Sequence, residues 1–227
     1  MEDRTRFGIG VLLTAIAGWI DAIGFLSLGG FYVSFMSGNT TQLGIGLTRF
    51  DANLVRLPAM LIACFVLGAF AATLIGSLSD RWRLPAILLL ESALLGVALA
   101  ISIWQSPVLE AAEPLALAMG AQNAALRSER GNRIGGTFVT GTVFSLGEKL
   151  ALWCLGRGGG RAALGHALGW LALALGAALG TLAFAAYGLR ALVIPASGLL
   201  LLGAATGLLS LGAHAGITAE ERPDQSG

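Results

Sequence analysis

Long apolar segments separated by short polar interruptions make up most of this chain. The apolar segments cover residues 7–28, 57–78, 84–104, 114–126, 163–189 and 191–213. Most of them approach the roughly 20 residues that an α-helix needs to cross the hydrocarbon core of a bilayer. The pattern therefore predicts an all-α integral membrane protein with at least six transmembrane segments.

Two of the polar interruptions resemble each other. The sequence FMSGNTTQLG at 35–44 is echoed by FVTGTVFSLG at 138–147, 103 positions later, and Gly18 and Asp21 lie 102 positions before Gly120 and Asn123. The order of span, motif, span, span also occurs twice. We therefore predict a single membrane domain over 1–227, with repeat 1 at 7–106, repeat 2 at 107–217 and a polar tail at 218–227.

The two motif segments, 31–48 and 134–155, decide the topology. If both cross the membrane, there are eight transmembrane segments, and the arginines divide seven against six between the two sides. If both re-enter, there are six, and the arginines divide ten against three. Because basic residues concentrate on one side of a membrane protein, the second count favours six spans and inverted repeats. Eight spans stay open, since both segments are long enough to cross.

Composition and charge exclude several protein classes. Hydrophobic residues form 56% of the chain and charged residues 12%, and the mean hydropathy is +0.78, so too few polar side chains remain to cover a soluble globule. A net charge of +1 argues against a nucleic-acid surface. Cys64 and Cys154 have neither CxxC spacing nor a partnering histidine, so no metal site and no cofactor are predicted.

The polar motifs are the candidate site. Hydroxyl and amide groups inside apolar sequence offer donors and acceptors to a neutral or anionic solute. A helix that begins after Gly38 or Gly141 would also present free N–H groups. The predicted solute-binding residues are Asp21, Ser37, Gly38, Asn39, Thr40, Gln42, Gln122, Asn123, Thr140, Gly141 and Thr142. The alternative is that these small residues only allow close helix contact and hydrogen bonds between helices.

Two acids lie inside apolar segments, where an ionised carboxylate is unfavourable unless it is paired or solvated. Asp21 is about fourteen residues into the first segment, and Glu91 is seven residues into the segment that starts at Leu84. Both are candidates for coupling a proton or cation to transport. Ser37 has no GxSxG elbow around it, so no catalytic residue is predicted and an intramembrane enzyme is the least favoured reading.

The motifs GWIDA at 18–22, FMSGNT at 35–40, AMGAQNA at 118–124 and FVTGT at 138–142 resemble the YoaK family of bacterial multi-pass membrane proteins. The resemblance covers nearly the whole chain and implies a location in the bacterial cytoplasmic (inner) membrane. It brings no substrate or catalytic residue. From the residues themselves we expect a permease or channel for a small polar or anionic solute. A structural or accessory membrane protein is the alternative, and the expected partners are the lipid bilayer, the solute and, as an open question, a second copy of the chain.

Overall fold

The computed structural model describes residues 3–104, 108–125 and 139–220, and side chains over 4–104, 111–125 and 139–212. This part of the chain forms eight α-helices and one 3-10 helix and contains no strand. The helices are α1 (Asp3–Ser27), α2 (Met36–Arg49), α3 (Ala52–Leu78), α4 (Arg83–Ile103), α5 (Val108–Ala125), α6 (Val139–Cys154), α7 (Gly160–Tyr187), the 3-10 helix (Gly188–Leu192) and α8 (Val193–Glu220). Arg127, Arg130, Arg133, Arg222 and most of the predicted tail lie outside the described residues.

Four stretches are apolar and long enough to cross a bilayer: Arg4–Ser27, Ala52–Leu78, Arg83–Ile103 and Gly160–Gly212. The last contains α7, the 3-10 helix and much of α8. The short helix α5 is the most enclosed of all, since Leu115, Ala118 and Met119 are fully or almost fully buried. The all-helical prediction is confirmed, and the chain has the helices of a membrane protein.

Helices α1 and α7 lie side by side and run in the same direction. Phe7 faces Gly165 at one end, and Trp19 faces Gly180 towards the other. A Cβ on Gly18 would overlap the carbonyl oxygen of Leu173, so only glycine permits the backbones to approach this closely.

Helices α3 and α5 form a second close pair. Gly68 lies against the backbone of Leu117, and Gly120 against that of Phe65, so in this pair too a Cβ would overlap a carbonyl oxygen. Cys64 of α3 lies near Glu113 of α5. Cys64 precedes Gly68 by four residues, and Glu113 precedes Leu117 by four residues, so both contacts advance in the same direction along the two helices. The two helices are therefore also parallel.

The 3-10 helix serves as a reference point for chain direction. α7 ends in it, and α1 runs towards it, since the Trp19 indole donates a hydrogen bond to the Ala191 carbonyl at 3.3 Å. α8 leads away from it and is antiparallel to α4: Gly207 faces Trp82, whereas the Ser92 hydroxyl donates to the Ala196 carbonyl at 2.8 Å. Gly76 near the end of α3 faces Arg83 at the start of α4, so α3 is antiparallel to α4. Helices α1, α4 and α7 therefore run one way, and α3, α5 and α8 the other.

Two shorter helices do not fit this alternation. α2 connects the end of α1 to the start of α3, and both of these points lie on the side of the 3-10 helix. α6 precedes the start of α7 on the opposite side. At 1.5 Å per residue, the 14 residues of α2 reach about 21 Å and the 16 residues of α6 about 24 Å, less than the roughly 30 Å of a hydrocarbon core.

Candidate functional site

The segment between α1 and α2 folds back along α1. Asp21 lies six residues before the end of α1, about 9 Å along the helix axis. Its Oδ1 accepts hydrogen bonds from the backbone N–H groups of Val33 and Ser34, both at 2.9 Å. Gly29 and Gly30, with φ of 69° and 101°, reverse the chain so that it can return to this depth.

Asn39 joins the same segment to the first turn of α2. Its Oδ1 accepts from the Tyr32 N–H at 3.1 Å, and its Nδ2 donates to the Tyr32 carbonyl at 2.6 Å. The side chain is completely buried. Asp21, Asn39 and the backbone of 32–34, here called the Asp21 cluster, therefore satisfy one another with hydrogen bonds.

The other predicted residues of the first motif lie outside this cluster. Ser37 and Thr40 are exposed on the surface of α2, and Gln42 is half-buried. The Thr40 hydroxyl donates to the Met36 carbonyl one turn earlier, at 2.8 Å. Ser37, Thr40 and Thr41 form an exposed polar face on α2, whereas Gln42 lies on another side of this helix, which packs against α3.

Glycine does not break the first motif helix. α2 begins at Met36, two residues before Gly38, because the reversal is made upstream at Gly29 and Gly30. A Cβ on Gly38 would lie 2.6 Å from the Phe35 ring, so this glycine makes room for the aromatic side chain. Gly141 likewise lies inside α6 as described, and the preceding residues 126–138 are outside the described part of the chain.

The second motif is more open than the first. Thr140 and Gly141 are exposed and Thr142 is half-buried, with its methyl group facing Gly169 of α7. No residue of α6 is buried. Asn123 Nδ2 donates to the Met119 carbonyl at 2.8 Å within α5.

The two motif helices do not meet. Within the described ranges, no Cα of α2 lies within 8 Å of a Cα of α6; α2 packs against α3, and α6 packs against α7. The structure therefore brings Asp21 and Asn39 together, but does not bring the first motif into contact with the second. Their assignment to solute binding remains a prediction.

The most deeply buried polar pair joins α4 to α5. Glu91 is 0% exposed and Gln122 is 3% exposed. Gln122 Nε2 donates to Glu91 Oε1 at 2.9 Å and to the Leu13 carbonyl of α1 at 3.2 Å. Glu91 Oε2 and Gln122 Oε1 are both buried and have no hydrogen-bond partner. The Glu91 pair, meaning Glu91 and Gln122 with the Leu13 carbonyl, thus holds two acceptors that nothing in the described chain satisfies.

The sequence identified both members of this pair but not their contact. The sequence predicts a coupling acid at Glu91 and a solute ligand at Gln122, on separate grounds. Both are long polar side chains in apolar segments, which is a signal that could have linked them. The backbone partners Leu13, Val33 and Ser34 have no such signal, because any residue supplies a carbonyl or an N–H group.

Residues 9–205 match the family described as "Protein of unknown function (DUF1275)". The chain belongs to this family. It is also 38% identical over 212 residues to UPF0700 transmembrane protein RA0705 of Rhizobium meliloti (strain 1021), covering 89% of this chain and 88% of that protein. UPF0700 transmembrane protein YoaK of Bacillus subtilis (strain 168) is 30% identical over 146 residues, covering 62% of this chain and 65% of that protein.

These similarities confirm the YoaK-like family and a transmembrane protein. No solved structure matches the chain. Neither relative's name states a solute or a reaction, so the function has to be argued from the arrangement of the helices and their polar groups.

Proposed function

We propose that this chain is a transport protein, either a permease or a channel, that moves a small polar or anionic solute and has no enzymatic activity. Its two halves are inverted repeats, α1–α4 and α5–α8. In the first half, α1 runs towards the 3-10 helix, α2 follows on that side, α3 runs away and α4 runs back towards it. In the second half, α5 runs away from the 3-10 helix, α6 follows on the far side, α7 runs towards it and α8 runs away. The same order with opposite directions is found in many transporter folds.

Matching glycine contacts support the duplication. Gly18 of α1 packs on Leu173 of α7, and Gly120 of α5 packs on Phe65 of α3. Gly18 and Gly120 are 102 positions apart, and the residues they contact are 108 apart. Each first helix therefore packs on the third helix of the other half, which is expected if one ancestral unit was duplicated and inverted.

Six crossings and two re-entrant helices follow from this arrangement. The described arginines fit it, because six lie on the side where α1 begins and three on the side of the 3-10 helix. The six are Arg4, Arg6, Arg81, Arg83, Arg157 and Arg161, and the three are Arg49, Arg56 and Arg190. By the positive-inside rule, the N-terminus is cytoplasmic. Both named relatives are bacterial, which supports a location in the cytoplasmic membrane.

The observation that carries the transport proposal is the Glu91 pair. It lies where α4 of one half meets α5 of the other, in contact with α1, and two of its oxygens have no partner. A protein that only needed to hold its halves together would be better served by apolar packing at this point, because an unsatisfied buried acceptor is destabilising. Acidic side chains within membrane segments commonly mark pathways for ions or substrates.

Solute uptake by proteoliposomes tests the proposal. Liposomes containing the purified chain would be placed in isosmotic solutions of urea, glycerol, ammonium formate and ammonium lactate, and their swelling followed by light scattering. We expect at least one of these probes to enter faster than into empty liposomes, and Glu91→Leu to abolish the difference. Thr73→Ala, which removes an exposed hydroxyl on α3, is the matched control and should swell like the wild type.

If every probe enters protein-free and protein-containing liposomes at the same rate, and Asn39→Ala lowers only the folded yield, the accessory alternative is favoured.

A separate experiment tests the topology. In a background without Cys64 and Cys154, single cysteines at positions 4, 49 and 81 would be labelled with a membrane-impermeant maleimide. Position 81 should be labelled from the same side as position 4, and position 49 from the opposite side; eight crossings predict the reverse for both.

A further inference from the structure

The Glu91 pair is an incomplete hydrogen-bonding arrangement between a carboxyl and a primary amide. One of the two bonds that such groups can exchange is present, from Gln122 Nε2 to Glu91 Oε1 at 2.9 Å. The remaining oxygen of each group, Glu91 Oε2 and Gln122 Oε1, is buried and has no hydrogen-bond partner. We propose that the Glu91 pair is a proton-binding site, in which a proton on Oε2 is donated to Gln122 Oε1 and closes a cyclic acid–amide pair.

A single proton accounts for both unpartnered atoms. An ionised carboxylate only accepts hydrogen bonds, whereas a protonated one also donates. The orientation of the amide is determined by its surroundings, because Nε2 faces two acceptors, Glu91 Oε1 and the Leu13 carbonyl. Gln122 Oε1 is then the amide atom that still requires a donor, and the protonated acid supplies one.

Among the side chains that the structure describes, no charged group compensates Glu91 if it is ionised. Gln122 is the only described residue that forms a hydrogen bond or ion pair with its carboxyl. The described titratable groups on α4 and on the elements packed against it, apart from Glu91 itself, are Arg56, Cys64, Arg83, Glu113 and Arg190. Helix α1, which contributes the Leu13 carbonyl, adds Arg4, Arg6 and Asp21. None of them forms an ion pair with Glu91, and α8 carries no titratable side chain among its described residues 193–212.

A proton fits the site better than a metal cation. Divalent cations such as Ca²⁺ and Mg²⁺ take six or more oxygen ligands. Only two oxygens are open here, since Glu91 Oε1 and the Leu13 carbonyl already accept from Gln122. Gln122 Nε2 would also direct its hydrogens towards the ligand oxygens that a cation needs.

Proton release would be coupled to movement of the two halves. Glu91, Gln122 and Leu13 belong to α4, α5 and α1, so separating α5 from the other two exposes the acid and breaks the cyclic pair. The use of this proton to drive transport rests on the proposed function; the presence of the proton does not.

Infrared spectroscopy of the full-length chain in lipid nanodiscs tests the site without a solute. At neutral pH we expect a carboxylic C=O band equivalent to one protonated side chain, and we expect Glu91→Gln to lose it. Ser92→Ala is the matched control, because Ser92 is the adjacent buried residue and bonds to α8 instead; its spectrum should keep the band. Identical spectra from the wild type and Glu91→Gln would overturn the proposal.

Gln122→Leu keeps the experiment decisive if Glu91→Gln does not fold. It retains the carboxyl but removes its acceptor, so the band should move to higher frequency. A band that does not move would overturn the acid–amide pair. Loss of the wild-type band on adding Na⁺ or K⁺ at constant pH would show that a metal cation occupies the site, which also contradicts the proposal. These outcomes are independent of the liposome swelling, so the two proposals can fail separately.

Discussion

The Asp21 cluster and the Glu91 pair both place an acid and an amide inside apolar sequence, yet they are satisfied to different degrees. In the Asp21 cluster, the carboxylate and the Asn39 amide bond to backbone groups of the returning segment 28–35. In the Glu91 pair, two oxygens are left over. The comparison teaches that two clusters of similar composition can differ in how many of their hydrogen-bonding groups are satisfied. The unsatisfied oxygens are the reason for proposing a proton at the Glu91 pair and not at the Asp21 cluster.

The largest expected effect is on the Asp21 cluster. Asp21→Ala leaves the N–H groups of Val33 and Ser34 without acceptors, and we expect it to destabilise the chain by about 3 kcal/mol or more, because bonds to a charged group are strong and orphaned buried donors are unfavourable. Thermal unfolding in detergent measures this. Asp51→Ala is the matched control: Asp51 also accepts from two backbone N–H groups, but it caps α3 at an exposed position and should cost about 1 kcal/mol. Equal losses from the two substitutions would contradict a structural role for Asp21.

A somewhat smaller effect is expected from Asn39→Ala. It removes both bonds to the Tyr32 backbone, so about 2 kcal/mol of stability should be lost. Limited proteolysis should then cleave within 28–35 faster than in the wild type. Unchanged cleavage with reduced solute uptake would instead assign Asn39 to the solute pathway and remove the contrast between the two clusters.

The Glu91 pair should respond differently when both partners change. Glu91→Leu or Gln122→Leu alone leaves the other polar group buried without its partner and should cost about 2 to 3 kcal/mol. The double substitution removes both polar groups, so its stability should lie within about 1 kcal/mol of the wild type. Chemical denaturation of all four proteins gives the coupling energy; additive losses would mean that the pair does not act as a unit.

The smallest effect is expected on the exposed face of α2. The Thr41 hydroxyl returns to the Ser37 carbonyl at 3.0 Å, and Thr41→Ala should change stability by no more than about 0.5 kcal/mol. The same variant sharpens the transport proposal in the swelling assay. A reduced rate at unchanged stability would place the polar face of α2 along the solute pathway.

The sequence predicted the all-helical membrane class of the fold, but it did not predict which polar groups bond to one another. Apolar segments of spanning length predict helices because, in lipid, a helix satisfies its own backbone. The sequence showed that glycine recurs at 18 and 120, but only the structure showed that both glycines lie at close helix contacts. The sequence also did not show that Gly29 and Gly30, rather than Gly38, reverse the chain.

What the sequence by itself determined is the class of the protein, because hydrophobicity and length depend only on composition and order along the chain. It also indicated which acids lie inside apolar segments. Only the tertiary structure decided which groups satisfy them. A backbone N–H of residue 33 or a carbonyl of residue 13 becomes a partner through folding, and whether an oxygen is left unpaired depends on which helices approach it. Asp21 and Glu91 look alike in the sequence and differ in the structure for that reason.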